Sequence, residues 1–173
     1  MTKGLFALTL ALASSSFAAD VWTTPFAGVK HLHRTTASPV ENINAVVIDL
    51  NTAGLRFEST TSAQRKQRPS DCAKAIGAQV AVNGDFFSYA TYATSGLAAG
   101  GGAKWADTTD NRANATFAFG NGKVELSPPA TVVSFDPTWM RGVVSGHPMV
   151  LTAGVVSTDT GTFCVTRNPR TIL

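Results

Sequence analysis

The stretch Ala81-Val82-Asn83-Gly84-Asp85-Phe86-Phe87 is where the chain changes from apolar and β-prone to a polar turn, then resumes with two aromatic rings. Val80 to Val82 favours extended backbone, and Asn-Gly is a strong turn pair. Asp85 therefore stands at an expected strand end, between a glycine that permits close approach and rings that exclude water. Two readings fit: a working carboxylate, or a hairpin turn whose Asp caps backbone N–H groups.

Outward from this stretch, most of the chain reads as short strands. Gly28 to Arg34 alternates, with Val29, His31 and His33 on one face. Ile43 to Leu50, Leu55 to Ser59, Thr131 to Phe135, Arg141 to Ser145, Met149 to Thr152, Val155-Val156 and Phe163 to Thr166 are further strand candidates. Thr116 to Phe119 and Lys123 to Leu126 flank Gly120-Asn121-Gly122, a hairpin signal. One helix is expected, from an N-cap at Ser70 to a stop at Gly77. The pattern gives an α+β class: a β-rich mixed sheet with few helices, in a single domain.

Residues 1–18 have the plan of a secretory signal peptide: a positive start at Lys3, an apolar run, and a small-residue exit favouring cleavage after Ala18, with the next bond as the alternative. Residues 19–173 then form the mature domain, and no later segment has the apolar length of a membrane span. Without Lys3, 13 basic face 11 acidic side chains, a formal charge of +2 that gives no case for nucleic acid. The dense basic stretch Arg65-Lys66-Gln67-Arg68 reads first as a solvated loop, with a phosphate or anionic-polymer contact as the other reading. Export makes Cys72 and Cys164 an expected disulfide, contributing about 4–5 kcal/mol by loop closure.

Candidate chemistry gathers in four further places. Ser95-Gly96-Leu97-Ala98-Ala99-Gly100-Gly101-Gly102-Ala103-Lys104-Trp105 is glycine-rich but lacks the ending of a nucleotide-binding loop. It can present N–H groups to a sugar or phosphate, with Gly96, Leu97 and Gly100 as contacts and Trp105 stacking on a sugar ring; a plain surface loop and a core tryptophan are the other readings. His31 and His33 lie about 7 Å apart on one strand face, fit for a metal if a carboxylate joins or for a local hydrogen-bonded pair. His147, between Gly146 and Pro148, is placed as a proton donor or phosphate partner. Asp107-Thr108-Thr109-Asp110-Asn111 offers oxygen ligands for Ca²⁺ but lacks the pattern of a Ca²⁺-binding loop, and no cofactor is identified. Asn114-Ala115-Thr116 is a glycosylation sequon where exported proteins are glycosylated.

Taken in order, His31-Leu32-His33-Arg34-Thr35-Thr36, Ala81 to Phe87, Ser95-Gly96-Leu97, Val144-Ser145-Gly146-His147-Pro148 and Asn168-Pro169-Arg170-Thr171 resemble the phosphodiester glycosidase domain, the family of the uncovering-type N-acetylglucosaminidases. The resemblance implies hydrolysis of a sugar-1-phosphodiester, with a glycan or sugar-phosphate polymer as partner. It implies Asp85 as nucleophile, base or electrostatic partner, Asn83 orienting a hydroxyl or water, Arg170 clamping the phosphate and His147 as a further phosphate contact or acid. Asp107 and Asp110 are candidates for a second carboxylate. Family members continue beyond the Pro-Arg-Thr motif to a further strand, a helix and an Asp-Gly-Gly-Gly-Ser-type loop. This sequence stops at Leu173, so the domain is expected to be incomplete, with unpaired edges and an exposed apolar face. The alternatives are a non-catalytic secreted carbohydrate- or cell-wall-binding protein and an inactive remnant.

Overall fold

The structure, a computed structural model, describes residues 19–106, 108, 113–131, 133–158 and 161–173. The expected leader, Asp107 and Asp110 lie outside the described residues. The fold is β-rich, with three sheets and two α-helices among the described residues. Every strand pairing among them is antiparallel. The chain divides between Leu55 and Arg56 into two compact units, described in turn.

The first unit is a meander of β1 (Ala19–Phe26), β2 (Val29–Ala37) and β3 (Val40–Ile48). The β1 strand has no clear apolar alternation, and its Val21 and Trp22 are exposed. Ser38-Pro39 turns β2 into β3, and their ladder runs unbroken from Val29↔Ile48 to Ala37↔Val40. Across it His31 Nε2 meets Asn44 Oδ1 and His33 Nε2 meets Asn42 Oδ1, both at 3.0 Å. The two imidazoles are a hydrogen-bonded pair of cross-strand contacts. Arg34 closes a two-pronged bond on Asp20, each contact 2.6 Å, which holds the Asp20 carboxyl below its usual range. A shallow depression on this unit, lined by Trp22, Thr23, Thr24 and Lys30, holds none of the expected site residues.

The second unit begins with an extended segment. Leu55 to Ser59, expected as a strand, joins no ladder. It delivers Phe57 against Phe117 and Phe119 instead, with ring centroids 6.4 and 5.6 Å away. Helix α1 spans Pro69–Ile76, with Arg68 as N-cap and Pro69 in its first turn, so Ser70 is inside the helix and not its cap. Proline's fixed φ and missing N–H suit that first turn. Gly77 ends the helix at φ +68, as expected, and Ala78 N–H donates to Ala73 O at 2.9 Å.

The main sheet runs β5-β4-β8-β6-β7, from β4 (Ala99–Gly100), β5 (Ala103–Lys104), β6 (Ala115–Gly120), β7 (Lys123–Ser127) and β8 (Gly142–Gly146). The β6–β7 hairpin turns at Asn121-Gly122, both with positive φ, as the sequence signals. Ala99, Ala118, Met140 and Val143 form the buried core, and Leu97, Val133, Phe135 and Trp139 pack on it. Val133 and Phe135 reach that core from outside any strand.

Hairpin β9 (Leu151–Thr152) and β10 (Val155–Val156) follows, then α2 (Thr162–Val165). The second helix replaces the strand expected from Phe163 to Thr166. That run finds no ladder partner and closes its own turn through Thr166 N–H to Thr162 O at 3.0 Å. The structure does not join Cys72 to Cys164. Cys72, half-buried in α1, turns its Sγ to Gln67 Oε1 at 3.2 Å, while Cys164 belongs to α2. No helix among the described residues is long and apolar enough to cross a membrane.

Candidate functional site

The site grows from a gap in the main sheet. Strand β8 has β6 along one side and β4 along the other, but β4 is two residues long and pairs with β8 only through Ala99↔Val143. Ser145 N–H, further along that edge, has no strand partner. A buried N–H without an acceptor is costly, and Asp85 supplies one: Ser145 N donates to Asp85 Oδ1 at 2.6 Å. Gly84 makes the approach possible, because a Cβ there would already sit 3.3 Å from Val144 Cγ1. Val80 to Val82 joins no ladder, so Asp85 stands on an extended segment laid against β8, not at a strand end.

Burial pushes the Asp85 carboxyl up to about 6 from 3.8; the bonds it accepts from Ser145 and its own backbone oppose that shift without cancelling it. The other expected residues make contacts of their own. Asn83 Oδ1 accepts from Thr171 Oγ1 at 2.5 Å. His147, at the end of β8, stacks on Phe86 with centroids 4.7 Å apart and planes at 27°. Phe163 meets both rings, 5.7 Å from Phe86 and 5.5 Å from His147. The Arg170 guanidinium lies 4.4 Å over Phe163, and its Nη2 donates to Phe163 O at 2.8 Å and Thr166 O at 3.1 Å. Asn83, Asp85, His147 and Arg170, spread over nearly ninety positions, are thus linked through intermediaries: Asn83 to Thr171 beside Arg170, Asp85 to Ser145 two residues before His147, and both His147 and Arg170 to Phe163.

The glycine-rich segment has a different role from the one expected. It is a strand pair with its tight turn at Gly101-Gly102, not a loop open to ligand. Gly100 is buried, and a side chain there would collide with the Thr60 carbonyl. Gly96, buried at φ +91, lies under Ser145: a Cβ would come within 2.6 Å of Ser145 Cβ and 2.9 Å of Asn114 Nδ2. Leu97 O accepts from Ser145 Oγ at 2.6 Å. Gly96 and Leu97 therefore support the strand that holds Asp85. Trp105 is buried, donates Nε1–H to Thr60 O at 3.2 Å, and has Arg65 5.1 Å from its ring. It is a core residue and not a sugar platform.

Asn114, at the expected sequon, is 5% exposed and donates Nδ2–H to Ser95 O at 2.7 Å, a bond that anchors the segment before Gly96. Its amide is closed to modification in this fold. Sequence reasoning missed Ser145 and Phe163 as members of the site. Ser145 acts through its backbone, which leaves no mark in residue type, and Phe163 joins only because its segment coils into α2. Among the described residues, no group of three His, Cys, Asp or Glu side chains is placed to hold a metal. No protein family, curated protein or solved structure matches this chain.

Proposed function

We propose that this chain is an exported hydrolase of the phosphodiester glycosidase type, cleaving a sugar from a sugar-1-phosphodiester and leaving a phosphomonoester. The observation that carries the reading is that three motifs far apart in sequence are linked by contact: Asn83 to Thr171, His147 to Phe86 and Phe163, and Arg170 to Phe163, next to Asp85 with its carboxyl pushed up to about 6. A phosphate leaves more readily than an alcohol, so the chemistry relies on charge at the anomeric carbon and at the leaving phosphate. The ionised Asp85 serves the first as base or nucleophile, and Arg170 serves the second through its planar fork. Asn83 orients the attacking water or a hydroxyl, and His147 supports the phosphate. The N-terminal leader pattern supports reading it as an exported protein.

A second reading, a secreted carbohydrate-binding protein without turnover, is favoured by Arg170: its Nη2 already serves two backbone carbonyls, which a phosphate would have to displace. The test is to incubate the purified protein with a methyl diester of N-acetylglucosamine 1-phosphate and follow sugar release. Release abolished in Asp85→Asn supports the hydrolase; retained sugar binding with no release supports the second reading.

A further inference from the structure

Phe86 and Phe87 are neighbours that serve opposite groups of rings. Phe86 stacks on His147, whereas Phe87 stacks on Tyr92 with centroids 5.4 Å apart and planes at 13°, and meets Tyr89 at 5.2 Å. The second group lies outside the core: Phe87 is 44% and Tyr89 86% exposed. Lys66, from the basic stretch Arg65-Lys66-Gln67-Arg68, reaches the same group, its Nζ 4.6 Å from the Tyr92 centroid.

Two observations set this patch apart from a chance surface cluster. Tyr92 at φ +61 and Lys66 at φ +69 are both left-handed non-glycine residues, and they touch each other. Left-handed backbone costs about 1–2 kcal/mol at each such residue, so the structure holds strain on both sides of one contact. The loop is also fixed from within. Ser88 N–H donates to Ala93 O at 2.9 Å, Tyr92 N–H to Ser88 O at 2.7 Å, and Ser95 N–H to Phe86 O at 2.7 Å. Rings held this way lose little freedom when a ligand lies on them.

We propose that Phe87, Tyr89, Tyr92 and Lys66 form a second subsite beside Asp85, taking the next repeat of a sugar-phosphate chain. The inference rests on the hydrolase reading for its choice of substrate. The exposed face of Tyr89 receives the apolar face of a pyranose ring, and the Lys66 ammonium meets the phosphate that joins it to the sugar at Asp85. A neutral glycan would use the rings but leave the cation without a counter-charge; a sugar-phosphate chain matches both.

The experiment compares calorimetric binding of a dimer of N-acetylglucosamine 1-phosphate units with that of the monomer diester. It uses the full chain carrying Asp85→Asn, so that binding is read without turnover. The dimer is expected to bind more tightly than the monomer. Adding Tyr89→Ala removes that advantage, about three- to tenfold, and leaves monomer affinity unchanged. Adding Lys66→Gln lowers dimer affinity and flattens its salt dependence, while chitobiose binding stays as it was. Equal affinity for dimer and monomer, or a dimer advantage indifferent to both substitutions, overturns the subsite. The hydrolase reading fails separately: no sugar release by the unsubstituted protein, with the Tyr89-dependent dimer advantage intact, leaves the subsite standing on a binding protein.

Discussion

Asp85 and Ser145 meet across sixty positions of chain, the Ser145 N–H donating to Asp85 Oδ1 at 2.6 Å. The bond fixes where the carboxyl sits, and burial decides when it ionises. Raised from 3.8 to about 6, Asp85 holds its proton more tightly in the folded chain than in the unfolded one. The stability it contributes is present below pH about 4 and is lost as pH rises through about 6, a change of up to about 3 kcal/mol. Melting temperature measured from pH 4 to 8 should fall in the native protein relative to Asp85→Asn, which carries no charge to bury. Parallel curves for the two would refute the burial argument.

On the proposed hydrolase reading, the same titration should set the pH profile. As base or nucleophile Asp85 works ionised, so kcat/KM for the monomer diester should climb with pH through a midpoint near 6. Asp85→Asn should lower turnover on the order of a hundredfold or more. A profile that falls through the same region would assign Asp85 the role of a proton donor.

Gly96 and Gly122 both have positive φ, but only Gly96 is hemmed in. Gly122→Ala meets nothing within 4 Å and should cost about 1 kcal/mol, the backbone penalty alone. Gly96→Ala drives a methyl into Ser145 and Asn114 and should cost roughly 2–4 kcal/mol. Urea midpoints compare them directly, and equal losses would show that the packing around Ser145 yields.

Trp105→Phe keeps an aromatic ring but deletes the donor to Thr60 O. Leaving that carbonyl unpaired should cost roughly 1–2 kcal/mol in a melt while sugar affinity stays unchanged. A fall in affinity without a fall in stability would restore Trp105 to the binding surface.

Arg170 Nη2 donates to Phe163 O within α2 and to Thr166 O at its C-cap. Arg170→Ala should raise hydrogen exchange at the α2 amides on the order of tenfold. A bound phosphate diester should raise it too, by drawing the guanidinium away. Exchange that ignores both would show that α2 stands without Arg170.

The legible parts of this fold were those whose local chemistry admits one answer. Asn121-Gly122 demands a tight hairpin, and Gly77 ends a helix wherever the chain leads afterwards. The illegible parts depended on neighbours. Val80 to Val82 has β propensity but no strand to pair with, and Phe163 to Thr166 has the same propensity yet coils because nothing offers it a ladder. The candidate site divides likewise. Asp85, Asn83, His147 and Arg170 could be named from motifs, whereas Ser145 works through an amide that every residue owns. Gly96, Gly100 and Trp105 belonged to the right region with the wrong purpose, because glycine admits close approach without saying whether ligand or backbone approaches.

The Phe86–Phe87 step, with one ring on His147 and the next on Tyr92, gears two surfaces to a single peptide unit. The two ring groups share one stretch of backbone but keep separate side-chain contacts, so a substitution confined to the tyrosine side leaves the Phe86–His147 stack in place.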